Sequence, residues 1–242
     1  KALTATASAS NKTYNATNSA SVTLTLSGLV GSETLGSTNT STFNNKNVGT
    51  GKTVTVNSIT LADGSNGGLA GNYSISAGQT TTANITAKSL TVSGITASNK
   101  IYDGNSVASL DASSVAYRGL VSGDTFNGTY TGAFSNKNVG VGKTVTITPS
   151  YSGADVSNYT ITNHADVTAN ITAKALTVSG VRASDKTYDG SVTATMNSNS
   201  AVYSGFVPGD DFVASHSGVF ANANTGTGKT VTITSSYNGA DV

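Results

Sequence analysis

Three Gly-Lys-Thr strings come closest to a chemical motif in this chain. GTGKT starts at Gly49 and at Gly226, and GVGKT starts at Gly140. A phosphate-binding loop needs a further glycine five residues before the Gly-Lys pair, and a helix behind it to present backbone N–H groups. Lys46, Lys137 and Ala223 stand at those positions, and each string runs into alternating strand residues. The strings therefore read as glycine-rich turns entering strands. The two histidines, His164 and His216, fall at non-equivalent positions and form no Ser/His/Asp arrangement by spacing. Asp103, Asp124, Asp189 and Asp210 each neighbour a glycine, where aspartate favours turns. A calcium loop needs six to eight oxygens, and no D-x-D-x-D run supplies them. Calcium between domains is the one cofactor left open. No catalytic, cofactor-binding or metal-ligating residue is assigned, and ligand-binding residues are not identifiable.

Lys52, Lys143 and Lys229 recur at one strand entrance, and Asn84 and Asn170 recur near a last strand. A Lys–Asn isopeptide crosslink is conceivable there, although no equally placed core acid accompanies it. The runs TLTL at Thr23, TVTV at Thr53 and TVTIT at Thr144 alternate Thr with core Leu, Val or Ile, which is polar-out strand design and not an ice-binding array. Eight N-x-[ST] sequons permit glycosylation without indicating it.

These residues sit in a chain of 242 residues with 73 Thr and Ser, 27 Gly, 2 Pro, no Cys and no Trp. Charged residues are 10% and the formal net charge is +1, which excludes an electrostatic nucleic-acid binder and a highly charged disordered tail. No apolar run is long enough for a membrane helix. Absence of cysteine removes disulfides, thiolate metal sites and Cys nucleophiles. The chain opens at Lys1 without a start Met or a signal pattern, and the expectation is an internal piece of a longer protein.

Repetition organises the whole. KALTVSG at Lys174 echoes KSLTVSG at Lys88 and, more loosely, KALTATA at Lys1. SNKIYDG, ending at Gly104, returns as SDKTYDG, ending at Gly190, and as SNKTYNA, ending at Ala16. NKNVGTGKTVTV, NKNVGVGKTVTI and NANTGTGKTVTI follow in the same order, as do GNYSI and SNYTI, and TANITAK closes the first two units. The period of about 86 residues exceeds that of solenoid repeats and suits a small domain. The expected domains are 1–87, 88–173 and 174–242, the third lacking counterparts of 157–173. Three explanations of that shortfall compete: a different phase of the domain boundary, an arbitrary cut, or a strand donated by a neighbouring molecule.

Within the second unit, short alternating runs recur between turn clusters, with no helical periodicity. Leu90 and Val92, then Phe126, Tyr130 and Phe134, then Val145 and Ile147, Tyr159 and Ile161, and Val167, Ala169 and Ile171 give six or seven strands. Gly94 marks an expected bulge. The fold class is all-β: tandem Ig-like antiparallel β-sandwich domains forming an elongated rod on the order of 100 Å for three units. The expected core is Tyr102, Phe134, Val145, Ile147 and Tyr159, with Tyr188, Phe220, Val231 and Ile233 in the third unit. The first unit departs, with Asn15-Ala16 in place of Asp-Gly.

KALTVSG, SDKTYDG, VSGD, NKNVGVGKTVTI and NYTI…ANITAK, in that order at one period, resemble the YDG/MBG family of bacterial Ig-like repeats. Tyr102 and Tyr188 open its naming motif. The resemblance implies a tandem array in a very large, extracellular or surface-displayed bacterial protein, of the kind found in filamentous-haemagglutinin-like adhesins. It carries no catalytic residues, so no enzyme is expected. A structural stalk projecting an adhesive region is the leading expectation. Repeats that themselves bind glycans or matrix polysaccharide, and self-association into filaments or biofilm matrix, are the alternatives. The expected partners are the flanking repeats of the same long chain, with glycans or further copies under those alternatives, and neither nucleic acid nor membrane insertion.

Overall fold

The computed structural model describes residues 1–240. Threonine and valine alternate through its strands, and β-branched side chains fit a pleated, half-buried surface. The fold is all-β, with two single 3₁₀ turns, Ala70–Asn72 and Val156–Asn158, the helical exceptions among the described residues.

The first and second repeats build the same five-stranded sheet. In the second, its order is Lys100–Ile101, Val167–Thr172, Gly140–Ser152, Asn127–Phe134 and Val107–Ala108. In the first, the order is Lys12–Thr13, Thr80–Thr86, Gly49–Asp63, Leu35–Phe43 and Ser19–Ala20. The third repeat holds three of the five: Thr193–Ala194, Val213–Phe220 and Val231–Asn238. A smaller sheet in the second repeat centres on Lys88–Ser93, flanked by Ala116–Arg118 and Tyr159–Thr162.

Antiparallel pairing dominates, with parallel exceptions. Tyr159–Thr162 runs parallel to Lys88–Ser93, and Lys100–Ile101 runs parallel to Val167–Thr172. The first repeat repeats both pairings, Ala2 with Ser74 and Lys12–Thr13 with Thr80–Thr86. The reason is connectivity: partners some 70 residues apart are joined by a long crossover, not by a hairpin.

The first two Gly-Lys-Thr strings lie inside strands as β-bulges, whereas the third, from Gly226, is the expected turn before the strand Val231–Asn238. Register shifts between Gly49 and Lys52 and between Gly140 and Lys143, with Gly51 at φ +58° and Gly142 at φ +62°. Gly94 is not a bulge but an end. At φ +87° it closes the strand Lys88–Ser93, where an added Cβ would sit 2.1 Å from the Ser114 carbonyl oxygen.

Spatially the chain forms two compact units. The first comprises Lys1–Ile95, Ala112–Tyr130 and Pro149–Ala165; the second comprises Thr96–Asp111, Thr131–Thr148 and the chain from Asp166 onward. Each holds residues of more than one sequence repeat. The first buries Leu3, Tyr14, Phe43, Val54, Val56, Ile85, Leu90, Val92, Phe126 and Tyr159. The second buries one cluster of Tyr102, Ala108, Phe134, Val145, Ala169 and Ile171. All five core residues expected in the second repeat are buried. Their third-repeat counterparts are not: Tyr188 is 65% exposed, Ile233 is 40% exposed, and Phe220 and Val231 are half-buried. The strands that cover Val145 and Phe134 in the second repeat have no equivalent in the third repeat's three-stranded sheet.

Candidate functional site

The tyrosine of each YDG-type turn is the residue from which the site is built. In the second repeat Lys100 lies two residues before Tyr102 on a short strand, so its ammonium reaches over the turn that follows. It donates to Asp103 Oδ1 at 2.7 Å, to the Asn105 carbonyl at 2.7 Å and to the Val107 carbonyl at 3.1 Å, while sitting 5.6 Å from the Phe134 ring centroid. Lys186 does the same with Asp189, Ser191 and Thr193 over Phe220. Lys12 does it with Asn15, Thr17 and Ser19 over Phe43. These ion pairs hold the Asp103 carboxyl below its ordinary range and push the Asp189 carboxyl down to about 2, in both cases first through the lysine. The glycine supplies the left-handed bend, φ +80° at Gly104 and +74° at Gly190. Ala16 adopts the same bend at φ +62°, so the first repeat keeps the turn without the glycine.

Held this way, the tyrosine meets the next repeat. In the first unit Tyr14 is 1% exposed, and its hydroxyl lies 3.0 Å from Asp124 Oδ1 and 3.3 Å from Asp155 Oδ1. Lys46 completes the set, 2.8 Å from Asp155 and 3.4 Å from Asp124, with its ammonium 5.9 Å from the Tyr14 ring centroid. The Asp124 side chain is 1% exposed, and a buried carboxylate must be fully partnered. Tyr159 donates to its second oxygen at 2.5 Å while accepting the Val121 N–H at 2.9 Å. Thr125 N–H donates to Asp155 Oδ2 at 2.9 Å. One tyrosine proton cannot serve two carboxylates at once, and the Lys46 charge satisfies the other.

The electrostatics follow. Lys46 holds the Asp155 carboxyl below its ordinary range and is itself raised, first by Asp155. Burial, then the Asp124 carboxylate, raises the Tyr14 phenol, and the same two causes push Tyr159 up to about 12. Asn158, also buried, accepts the Val48 N–H at 2.9 Å on Oδ1.

The second unit repeats the arrangement. Tyr102 donates to Asp210 at 2.7 Å, Lys137 lies 3.3 Å from Asp210 and 6.0 Å from the Tyr102 ring centroid, and the Asp210 side chain is 8% exposed. A Cβ on Gly104 would fall 2.8 Å from a Val207 methyl, so the glycine also permits the close approach. The three letters of the motif divide the work: tyrosine grips, aspartate anchors the lysine, glycine bends and makes room.

Asp124 and Asp210, expected as turn formers, do form turns, and their carboxylates are also the receptors of this grip. Lys46 and Lys137, which stand where a phosphate loop would need glycine, are its cations. A shared period linked all these residues; nothing local marked them as partners. Lys52, Lys143 and Lys229 donate to Asn45, Asn136 and Asn222, whereas Asn84 and Asn170 accept the Gly51 and Gly142 N–H groups at the bulges. His216 lies between the Tyr203 hydroxyl at 2.9 Å and Ser235 Oγ at 2.8 Å, and His164 contacts the Ala165 carbonyl. Among the described residues no cluster of three or more His, Cys, Asp or Glu is placed to hold a metal.

The family model described as the YDG domain matches this chain three times in tandem, at residues 1–83, 86–169 and 172–242. No curated protein matches it. No solved structure matches it.

Proposed function

From a chain that belongs to the YDG-domain family over nearly its whole length, we propose a structural spacer: a stalk segment of a large bacterial surface or secreted adhesin, which holds an adhesive region away from the cell. The observation that carries this reading is the repeated grip of Tyr14 and Lys46 on Asp124 and Asp155, and of Tyr102 and Lys137 on Asp210. The most elaborate polar chemistry in each compact unit joins one repeat to the next. Hydrogen bonds among buried charged groups are directional and costly to break one partner at a time, which suits a junction that resists bending. The low charge and the Thr/Ser surface suit a spacer with little tendency to bind its neighbours.

The test introduces cysteines, absent from the native chain, at exposed Ser32 and Asn199, and measures the distance distribution between spin labels. A spacer gives one narrow distribution that broadens in Tyr14→Ala and in Tyr102→Ala. A broad distribution in the unaltered chain overturns the reading. So does saturable binding to a glycan array, with calcium or with chelator, because the repeats would then be the adhesive element.

A further inference from the structure

The opening and closing strands of each of the first two repeats lie side by side and point the same way. In the second repeat Lys88–Ser93 runs parallel to Tyr159–Thr162, with Lys88 opposite Tyr159 and Thr91 opposite Thr162. Further along, Lys100–Ile101 runs parallel to Val167–Thr172, with Lys100 opposite Ile171. Partners stand 71 residues apart in both pairs, so the opening and closing segments keep one register although they pair in two separate sheets. The first repeat does likewise, pairing Ala2 with Ser74 and Lys12 with Ile85.

The later pair is reinforced alike in both repeats. Asn99 Oδ1 accepts the Asn170 N–H at 2.7 Å, the Tyr102 N–H donates to the Thr172 carbonyl at 2.8 Å, and Thr172 Oγ1 donates to the Lys100 carbonyl at 3.3 Å. In the first repeat Asn11 accepts the Asn84 N–H at 2.7 Å, Tyr14 N–H donates to Thr86 at 2.9 Å, and Thr86 Oγ1 donates to Lys12 at 3.3 Å. Ile171 and Ile85, on the closing strands, are buried, which keeps water from competing for the bonds beside them. The lysine of each opening strand is itself tied down by the turn that follows it, over Phe134 or Phe43.

Parallel order decides how these bonds meet a pull along the chain. Such a pull reaches the opening strand from its N-terminal end and the closing strand from its C-terminal end. In a parallel pair those two ends lie at opposite ends of the ladder. The strands are then drawn lengthwise past each other, and the bonds between them are loaded together. In an antiparallel pair the same two ends would be neighbours, and the bonds would break one after another.

We infer that the first and second repeats are shear clamps, which carry tension along the chain. This is resistance to pulling, separate from the resistance to bending proposed above, and a chain can have either without the other.

Single-molecule pulling on the full chain, which has no native cysteine, tests the clamp through two choices of attachment points. Ser89→Cys with Ala173→Cys, both at exposed positions, pulls the second repeat from opposite ends of its parallel pairs. Ile101→Cys, at another exposed position, with Ala173→Cys pulls the later pair from one end. Forced unfolding reads the barrier to unfolding and not the equilibrium stability, so the first geometry is expected to need several-fold more force than the second. Asn99→Ala, in a chain that circular dichroism shows to be folded, should lower the force in the first geometry by more than in the second. Equal forces in the two geometries, or a lower force in the first, overturn the proposal. An Asn99→Ala effect of the same size in both also overturns it, because that bond would then act through stability alone.

Discussion

A phenol within reach of two carboxylates has one proton to give, which makes its share of the grip separable from the ring that packs beside it. Tyr14→Phe keeps the ring against Tyr159 and removes the donor. It should cost about 1–2 kcal/mol, since hydrogen bonds to charged groups exceed neutral ones. Each kcal/mol lowers the melting temperature of a chain this long by about 2–4 °C, which calorimetry can read. Tyr188→Phe, at a 65% exposed side chain, should leave it unchanged. The same groups set the pH limits. Asp155 titrates below its ordinary value in the folded chain, so its contribution is complete above the usual carboxylate pKa of about 3.9 and is lost as pH falls through the lower folded value. The Tyr159 phenol is raised to about 12, so its contribution is complete below the usual phenol pKa of about 10 and is lost as pH rises toward 12. A melting-temperature profile flat from about pH 5 to 9 and falling on both sides is expected; a single acidic fall with no alkaline one would remove the tyrosines from the account.

At the scale of elements, the turn after each short Lys-bearing strand explains what spacing revealed and what it hid. The alternation of Leu90, Val92, Val145, Ile147, Ala169 and Ile171 with threonine was legible, because strand burial has period two and needs no knowledge of partners. Parallel pairing of Tyr159–Thr162 with Lys88–Ser93 was not, because alternation is the same in either direction. The bulges at Gly51 and Gly142 looked like turns, since a positive-φ glycine serves both. Asp124 and Tyr14 lie 110 residues apart, beyond any local pattern; only their common period connects them. Even the period misled about Tyr188 and Ile233, whose counterparts owe their burial to neighbours that have no equivalent around those two among the described residues. The turn offers its own test. Ala16 occupies the left-handed region at φ +62°, a cost glycine avoids, so Ala16→Gly should stabilise the first repeat by about 0.5–1 kcal/mol. Gly104→Ala adds both that cost and a clash with Val207, and should destabilise by more than about 1 kcal/mol. Equal effects of the two changes in chemical denaturation would mean that the close approach to Val207 is relaxed in solution.

At the scale of the whole molecule, the grip has a direction. Tyrosine and lysine come from one repeat, and the aspartates from the repeat that follows, at both junctions. The first and second repeats therefore present the same tyrosine and lysine forward, and the second and third present the same aspartate, Asp124 or Asp210, backward; Ala223 stands where the third repeat would carry the lysine. Excising residues 88–173 should bring Tyr14 and Lys46 to Asp210, and the shortened chain should melt cooperatively and lose stability on Tyr14→Phe as the full chain does. Aggregation of that chain, or indifference to the substitution, would show that the junctions are individually fitted. Because the second repeat carries both halves, length becomes a free variable: a recombination event that gains or loses one copy of that repeat, a period of about 86 residues, leaves every surviving joint with its proper halves. A population carrying such a gene could vary the reach of its protein by counting repeats, without redesigning a single contact.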